Sequence, residues 1–95
     1  MLVKYVRDKK GQRIGVVVAI GKDKIGWSKC NFSKGDKFDK KRGRYIAEKR
    51  AEKYVYDNEF DFFYNLKIPC VLYRDILEMV ERAETYFWKD KGEQN

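Results

Sequence analysis

Histidine is absent from this 95-residue chain, and its absence removes more chemistry than any residue present supplies. Without an imidazole, Ser28, Ser33 and Cys30 lack the partner that usually activates a nucleophile, and a lysine base would have to be buried to work near neutral pH. No catalytic residue is singled out, and an enzyme is less expected than a binding protein. Cysteine is scarce as well. Cys30 and Cys70 stand forty positions apart, outside any CxxC pair, so a zinc site would need carboxylates for its other ligands. No metal and no cofactor is expected, and the two thiols suit a reducing compartment. No apolar run approaches the roughly 20 residues of a membrane span, and MLVKYVRDKK has no apolar stretch of signal-peptide length. These lacks lead to the expectation of a cytoplasmic protein with no membrane partner.

A phosphate-cradling loop is lacking on grounds of spacing. Gly15 and Gly21 are separated by five residues rather than four, Lys22 is followed by Asp23, and the intervening VVVAI has the character of a strand. Asp57, Glu59 and Asp61 imitate the opening of a calcium loop, but Phe62 occupies the glycine position and Ile68 the position of the bidentate glutamate. The simpler reading of these acids is a solvated edge beside buried aromatics.

What the first half of the chain lacks is acid. Met1 to Lys53 holds 17 of the 22 Lys and Arg residues against 6 of the 15 Asp and Glu, a balance of +11. Tyr54 to Asn95 holds 5 against 9, a balance of −4. One half is suited to a polyanion and the other is not.

Apolar periodicity supplies the fold expectation. Leu2 to Arg7 is rich in β-branched and aromatic residues and runs into the turn Asp8-Lys9-Lys10-Gly11. Arg13 to Ile20 is the clearest strand, with Ile14, Val16, Val18 and Ile20 on one face and Arg13, Gly15, Val17 and Ala19 on the other. Gly21-Lys22-Asp23 turns into a third strand, Lys24 to Phe32. After a polar loop, Asp39 is a good N-cap for an amphipathic helix from Lys40 to about Tyr54, with Gly43, Ile46, Ala47, Ala51 and Tyr54 on its inner face. Val55 to Ile68 reads as a packed loop or as an extra short strand near residues 60–66. Pro69 suits the first turn of a last helix reaching Trp88, with Glu78 and Arg82 as an i,i+4 pair. The expected fold class is α+β, a three-stranded antiparallel sheet followed by two helices (β-β-β-α-α), in a single domain over residues 1–95 with 89–95 as a frayed tail.

The basic residues converge on a binding role. Lys34, Lys37, Lys40, Lys41, Arg42 and Arg44 gather around a helix N-terminus, where backbone N–H groups add to the attraction for phosphate. Lys9, Lys10, Arg13, Lys22 and Lys24 fall on the hairpins, with Trp27 and Tyr45 as stacking surfaces. The candidate nucleic-acid-binding set is Arg13, Lys22, Lys24, Trp27, Lys37, Lys40, Lys41, Arg42 and Arg44, and the expected partner is DNA or RNA.

Residues 25–51, IGWSKCNFSKGDKFDKKRGRYIAEKRA, resemble a segment of small proteins of unknown function encoded by tailed bacteriophages. The likeness rests on Gly26, Trp27 and Ser28, on Asp36, Lys37 and Phe38, and on Gly43, Ile46 and Ala47. It covers under a third of the chain and implies a phage accessory protein in the bacterial cytoplasm, with no catalytic residues carried over. Three antiparallel strands followed by a helix are also similar in architecture to AP2-type domains and to integrase arm-binding domains, which lay their sheet into the DNA major groove. The alternative function is a phage inhibitor or modulator of a host or defence protein. Its basic face would dock on an acidic partner, and Phe60, Phe62, Phe63 and Tyr64 would form its hot spot. Self-association into a homodimer, acidic half against basic half, is a further option.

Overall fold

Three antiparallel strands form a meander in the order β1-β2-β3: β1 (Leu2–Arg7), β2 (Arg13–Gly21) and β3 (Lys24–Lys29). Three helices follow, α1 (Lys40–Lys53), α2 (Glu59–Asn65) and α3 (Tyr73–Glu93), with a 3₁₀ turn at Cys70–Leu72 leading into the last. The computed structural model describes residues 1–30, 35 and 37–93, the last five of these by backbone alone. Asn31 and Phe32 of the expected third strand, and Ser33, Lys34 and Asp36 of the loop after it, lie outside the described residues.

The chain is α+β as expected, with helices covering both faces of the sheet. Alternation along β2 sends Val16 and Val18 toward α1, and Val17 and Ala19 toward α2 and α3. All four side chains are fully buried, which is why the strand reads as a continuous apolar run rather than an alternating one. Ile14 departs from the expected face. The register slips between Val6 and Arg7, a bulge that turns Ile14 to the α3 side beside Val6.

The α1 face is built from small residues. A Cβ on Gly26 would stand 1.8 Å from the carbonyl oxygen of Ala47 and 2.5 Å from the amide nitrogen of Ala51, so helix and strand backbones are in direct contact there. The Ser28 hydroxyl donates to the Gly43 carbonyl at 2.8 Å and ties the first turns of α1 to β3. Asp39 caps the helix, accepting from the Arg42 amide at 3.1 Å. Phe38 packs edge-on to Tyr5 of β1.

On the other face Leu72 of the 3₁₀ turn and the buried α3 stripe of Ile76, Met79 and Ala83 face the sheet. Lys4 Nζ on β1 reaches Asp75 Oδ1 and Glu78 Oε2, each at 2.8 Å. Glu78 also meets Arg74 at 3.4 Å, so its partners are Lys4 and Arg74 and not the expected Arg82.

The extra strand near residues 60–66 is replaced by α2. Asn58 caps it, accepting from the Asp61 amide at 2.8 Å, and Phe62 and Phe63 fall on its buried side. Its end is a Schellman motif, with Lys67 donating to the Tyr64 carbonyl and Ile68 to that of Phe63. Lys67 therefore sits in the left-handed region, φ 52°, a conformation that usually selects glycine and costs other residues about 1 kcal/mol.

Candidate nucleic-acid interface

Strand register and the helix contacts sort the basic residues by end of the sheet. Arg7 pairs with Arg13 and Gly15 with Lys29, so the β1–β2 turn, the start of β2 and the end of β3 share one end. Ser28 holds the Gly43 turn against that same end, which brings the N-terminus of α1 there. Lys9, Lys10, Arg13, Lys29, Lys37, Lys40, Lys41 and Arg42 thus arrive at one pole from three segments distant in sequence. Tyr5 binds the group together: the Arg13 guanidinium lies 5.9 Å and the Lys40 ammonium 4.9 Å from its ring centroid. The buried Nε of Arg13 has no hydrogen-bond partner among the described residues.

Among the described residues, the two carboxylates at this pole are already engaged. Asp8 Oδ1 accepts from the amides of Lys10 and Gln12, both at 2.9 Å, and folds the turn whose Gly11 has φ 81°. Asp39 is committed to the α1 cap. Its charge faces the helix N-terminus, so the expected help from free backbone N–H groups is partly cancelled there, and attraction at the pole rests on the side-chain cations.

Two clefts run from the pole along the free side of β3. The smaller, about 100 Å³, is lined by Lys29, Lys37, Asp39 and Arg42 around Ser28, Phe38 and Gly43. The larger, about 560 Å³, is lined by Lys29, Arg50 and Lys67 with Trp27, Tyr54, Asn65, Leu66 and Pro69. They share Lys29, and among the described residues the larger has no carboxylate in its wall. Arg50 is anchored in place: Nη1 donates to the Trp27 carbonyl at 2.9 Å, and its guanidinium carbon lies 5.0 Å from the Trp27 ring centroid.

The structure brings together five members of the expected set, Arg13, Lys37, Lys40, Lys41 and Arg42. Arg44 is exposed on α1 and paired with Glu48 at 3.1 Å. Lys22 and Lys24 lie at the opposite end, where the Lys22 ammonium stands 5.5 Å from the Trp88 ring centroid of α3. Trp27 is a correction. Only 5% exposed, its ring packs against Tyr54 and Phe62, so it belongs to the core and is closed to a stacking base. Tyr45 does face solvent. The sheet-in-groove geometry of the AP2-type and integrase domains is also excluded, because α3 covers the face opposite α1.

Sequence reasoning missed Lys29, Arg50 and Lys67. Lys29 fell inside the expected third strand, Lys24 to Phe32, and becomes a strand end only because β3 stops there. Arg50 needed knowledge of how α1 crosses β3, and Lys67 needed α2 to be recognised as a helix. Cys70 is exposed, and Cys30 is half-buried. Among the described residues there is no group of three or more acidic or Cys side chains placed to hold a metal, and no helix is long and apolar enough to cross a membrane. Comparison with protein-family models, with curated proteins and with solved structures gave no match.

Proposed function

We propose that this chain is a small, non-catalytic nucleic-acid-binding protein that contacts phosphates through the basic pole and the clefts beside β3. The observation that carries the reading is the pairing of convergent cations with occupied acids. Among the described residues, eight Lys and Arg meet at one end of the sheet, while Asp8 and Asp39 spend their charge on backbone amides. A surface arranged this way keeps a net positive field at short range, which is what phosphate contact requires. The resemblance of residues 25–51 to tailed-phage proteins supports an accessory role in a bacterial cytoplasm. Reversing charge at Lys37 and Arg42 tests the site. The double variant K37E/R42E is expected to lose at least tenfold in affinity for a mixed-sequence oligonucleotide at an unchanged thermal midpoint. Unchanged affinity would move the interface elsewhere.

A second reading, docking on a host protein, is favoured by one feature. Phe60 and Tyr64 on α2 are 71% and 70% exposed and stacked in parallel, with ring centroids 5.3 Å apart and planes 8° from parallel. They are the accessible members of the aromatic connector, because Phe62 and Phe63 are buried. Asp57, Glu59 and Asp61 surround the pair in sequence and are exposed, so this patch suits a basic partner, while an acidic partner would use the pole instead. Serine at Phe60 and Tyr64 is expected to abolish capture of a host protein and to leave oligonucleotide affinity unchanged.

A further inference from the structure

The larger cleft differs in kind from the pole. It is an open cleft whose wall takes three cationic residues from three elements: Lys29 from the end of β3, Arg50 from α1 and Lys67 from the turn after α2. At about 560 Å³ it falls within the range of small-molecule sites. Its wall also offers Asn65 and the half-buried Tyr54, and among the described residues no carboxylate opposes the cations.

Lys67 adds an independent observation. The Schellman end of α2 asks for glycine at this position, and both of its hydrogen bonds are main-chain bonds that glycine would make equally well. Nothing in the packing calls for a lysine, since the residue is exposed and its neighbours Phe63 and Ile68 supply the hydrophobic closure. A strained backbone that sets a lysine in the wall of a cleft is the pattern in which local stability is given up for binding. Arg50 is prepared in the same sense. Its bond to the Trp27 carbonyl uses one of five N–H donors and holds the guanidinium before any ligand arrives.

We propose that this cleft is a phosphomonoester site, taking the terminal phosphate of a nucleotide-sized ligand between Arg50, Lys67 and Lys29, with Tyr54 beside the base. A phosphomonoester carries up to two negative charges and three acceptor oxygens, which three convergent cations satisfy better than the single charge of an internal phosphodiester. The ligand is either the 5′-phosphorylated end of a strand or a free nucleotide. The inference deepens the nucleic-acid reading and rests on the same surface, but it concerns chain ends and monomers and not the polymer backbone.

The test uses the full chain and two matched pairs of probes, read at low salt. The first pair is a short single-stranded DNA with a 5′-phosphate and the same strand with a 5′-hydroxyl. The second is adenosine 5′-monophosphate and adenosine. About tenfold tighter binding of the phosphorylated strand is expected, and Lys67→Gly, which relieves the backbone and raises the thermal midpoint, is expected to erase most of that preference. Lys67→Ala, which removes the cation while keeping the strained backbone, should lose it equally. Discrimination only within the second pair would assign the site to free nucleotides and support the proposal. Equal binding within both pairs, with strong binding of both strands, would overturn it and leave the polymer reading standing. Failure of every probe to bind would overturn both. Retention of the full preference by Lys67→Gly would also overturn it.

Discussion

Single residues account for the sharpest consequences of this structure. Lys67 holds a left-handed backbone in which glycine is at ease, so Lys67→Gly is expected to raise the unfolding free energy by about 1 kcal/mol in a urea titration. Lys4 carries a different kind of prediction. Hydrogen bonds from its ammonium to Asp75 and then to Glu78 hold its pKa above the ordinary value, and the bond from Lys4 holds the Glu78 carboxyl below its own. A raised lysine contributes stability that is complete below the unfolded pKa of about 10.4 and fades as pH climbs through the folded value. A lowered glutamate contributes stability present above about pH 4.3 and lost on acidification. Lys4→Met should therefore flatten the stability profile at both extremes, measured as the thermal midpoint between pH 3 and pH 11. A profile unchanged by the substitution would show that these pairs do not couple folding to pH.

Among the elements, α1 and β3 form the tightest contact. Gly26 admits the α1 backbone, and no rearrangement of a side chain can make room for a Cβ that would meet Ala47 and Ala51 main-chain atoms. Gly26→Ala is expected to destabilise the protein by about 3 kcal/mol or more, or to prevent folding, by forcing the helix off the sheet. Ser28→Ala, which deletes only the bond to the Gly43 carbonyl, should cost about 1 kcal/mol by the same denaturation assay. The order of these two effects is the check, since a larger loss from Ser28→Ala would mean that the hydroxyl and not the close approach positions α1.

The elements also divide cleanly by how readable they were. The three strands, the Asp39 cap and the stripe of α3 follow local rules: alternation, capping and helical spacing within a few residues. The α2 helix does not. Its seven residues include four aromatics, EFDFFYN, a composition that suits strand as well as helix, and what decides the matter is tertiary. Phe62 and Phe63 are both buried although adjacent, which a strand with one covered face does not allow. The bulge that moves Ile14 across the sheet was likewise hidden, because a one-residue slip leaves no mark in composition.

At the scale of the whole molecule, the charge division seen in the sequence becomes a polar arrangement in space. The +11 half supplies the sheet and α1, and its cations concentrate at the end where the β1–β2 turn, Lys29 and the α1 N-terminus meet. The −4 half supplies α2 and α3, which close the opposite face of the sheet. The candidate site was legible only as a list of charges. Charge counts cannot tell that Lys22 and Lys24 turn to the far end, that Trp27 is swallowed by the core, or that Arg50 and Lys67 join Lys29 across 38 residues of chain. Such groupings depend on topology, and topology is not a local property.

The central claim, that the basic pole meets a polyanion, is tested most directly by the affinity for single-stranded DNA and RNA at two salt concentrations, read by fluorescence anisotropy. Five phosphate contacts imply a fall of about 100-fold between roughly 50 and 200 mM salt, from a slope near −0.7 per contact on a single strand. A fall of that size would establish the electrostatic interface. Absence of binding at the lower salt, for single strands and duplexes alike, would contradict the account and leave the charged pole as a docking surface for protein.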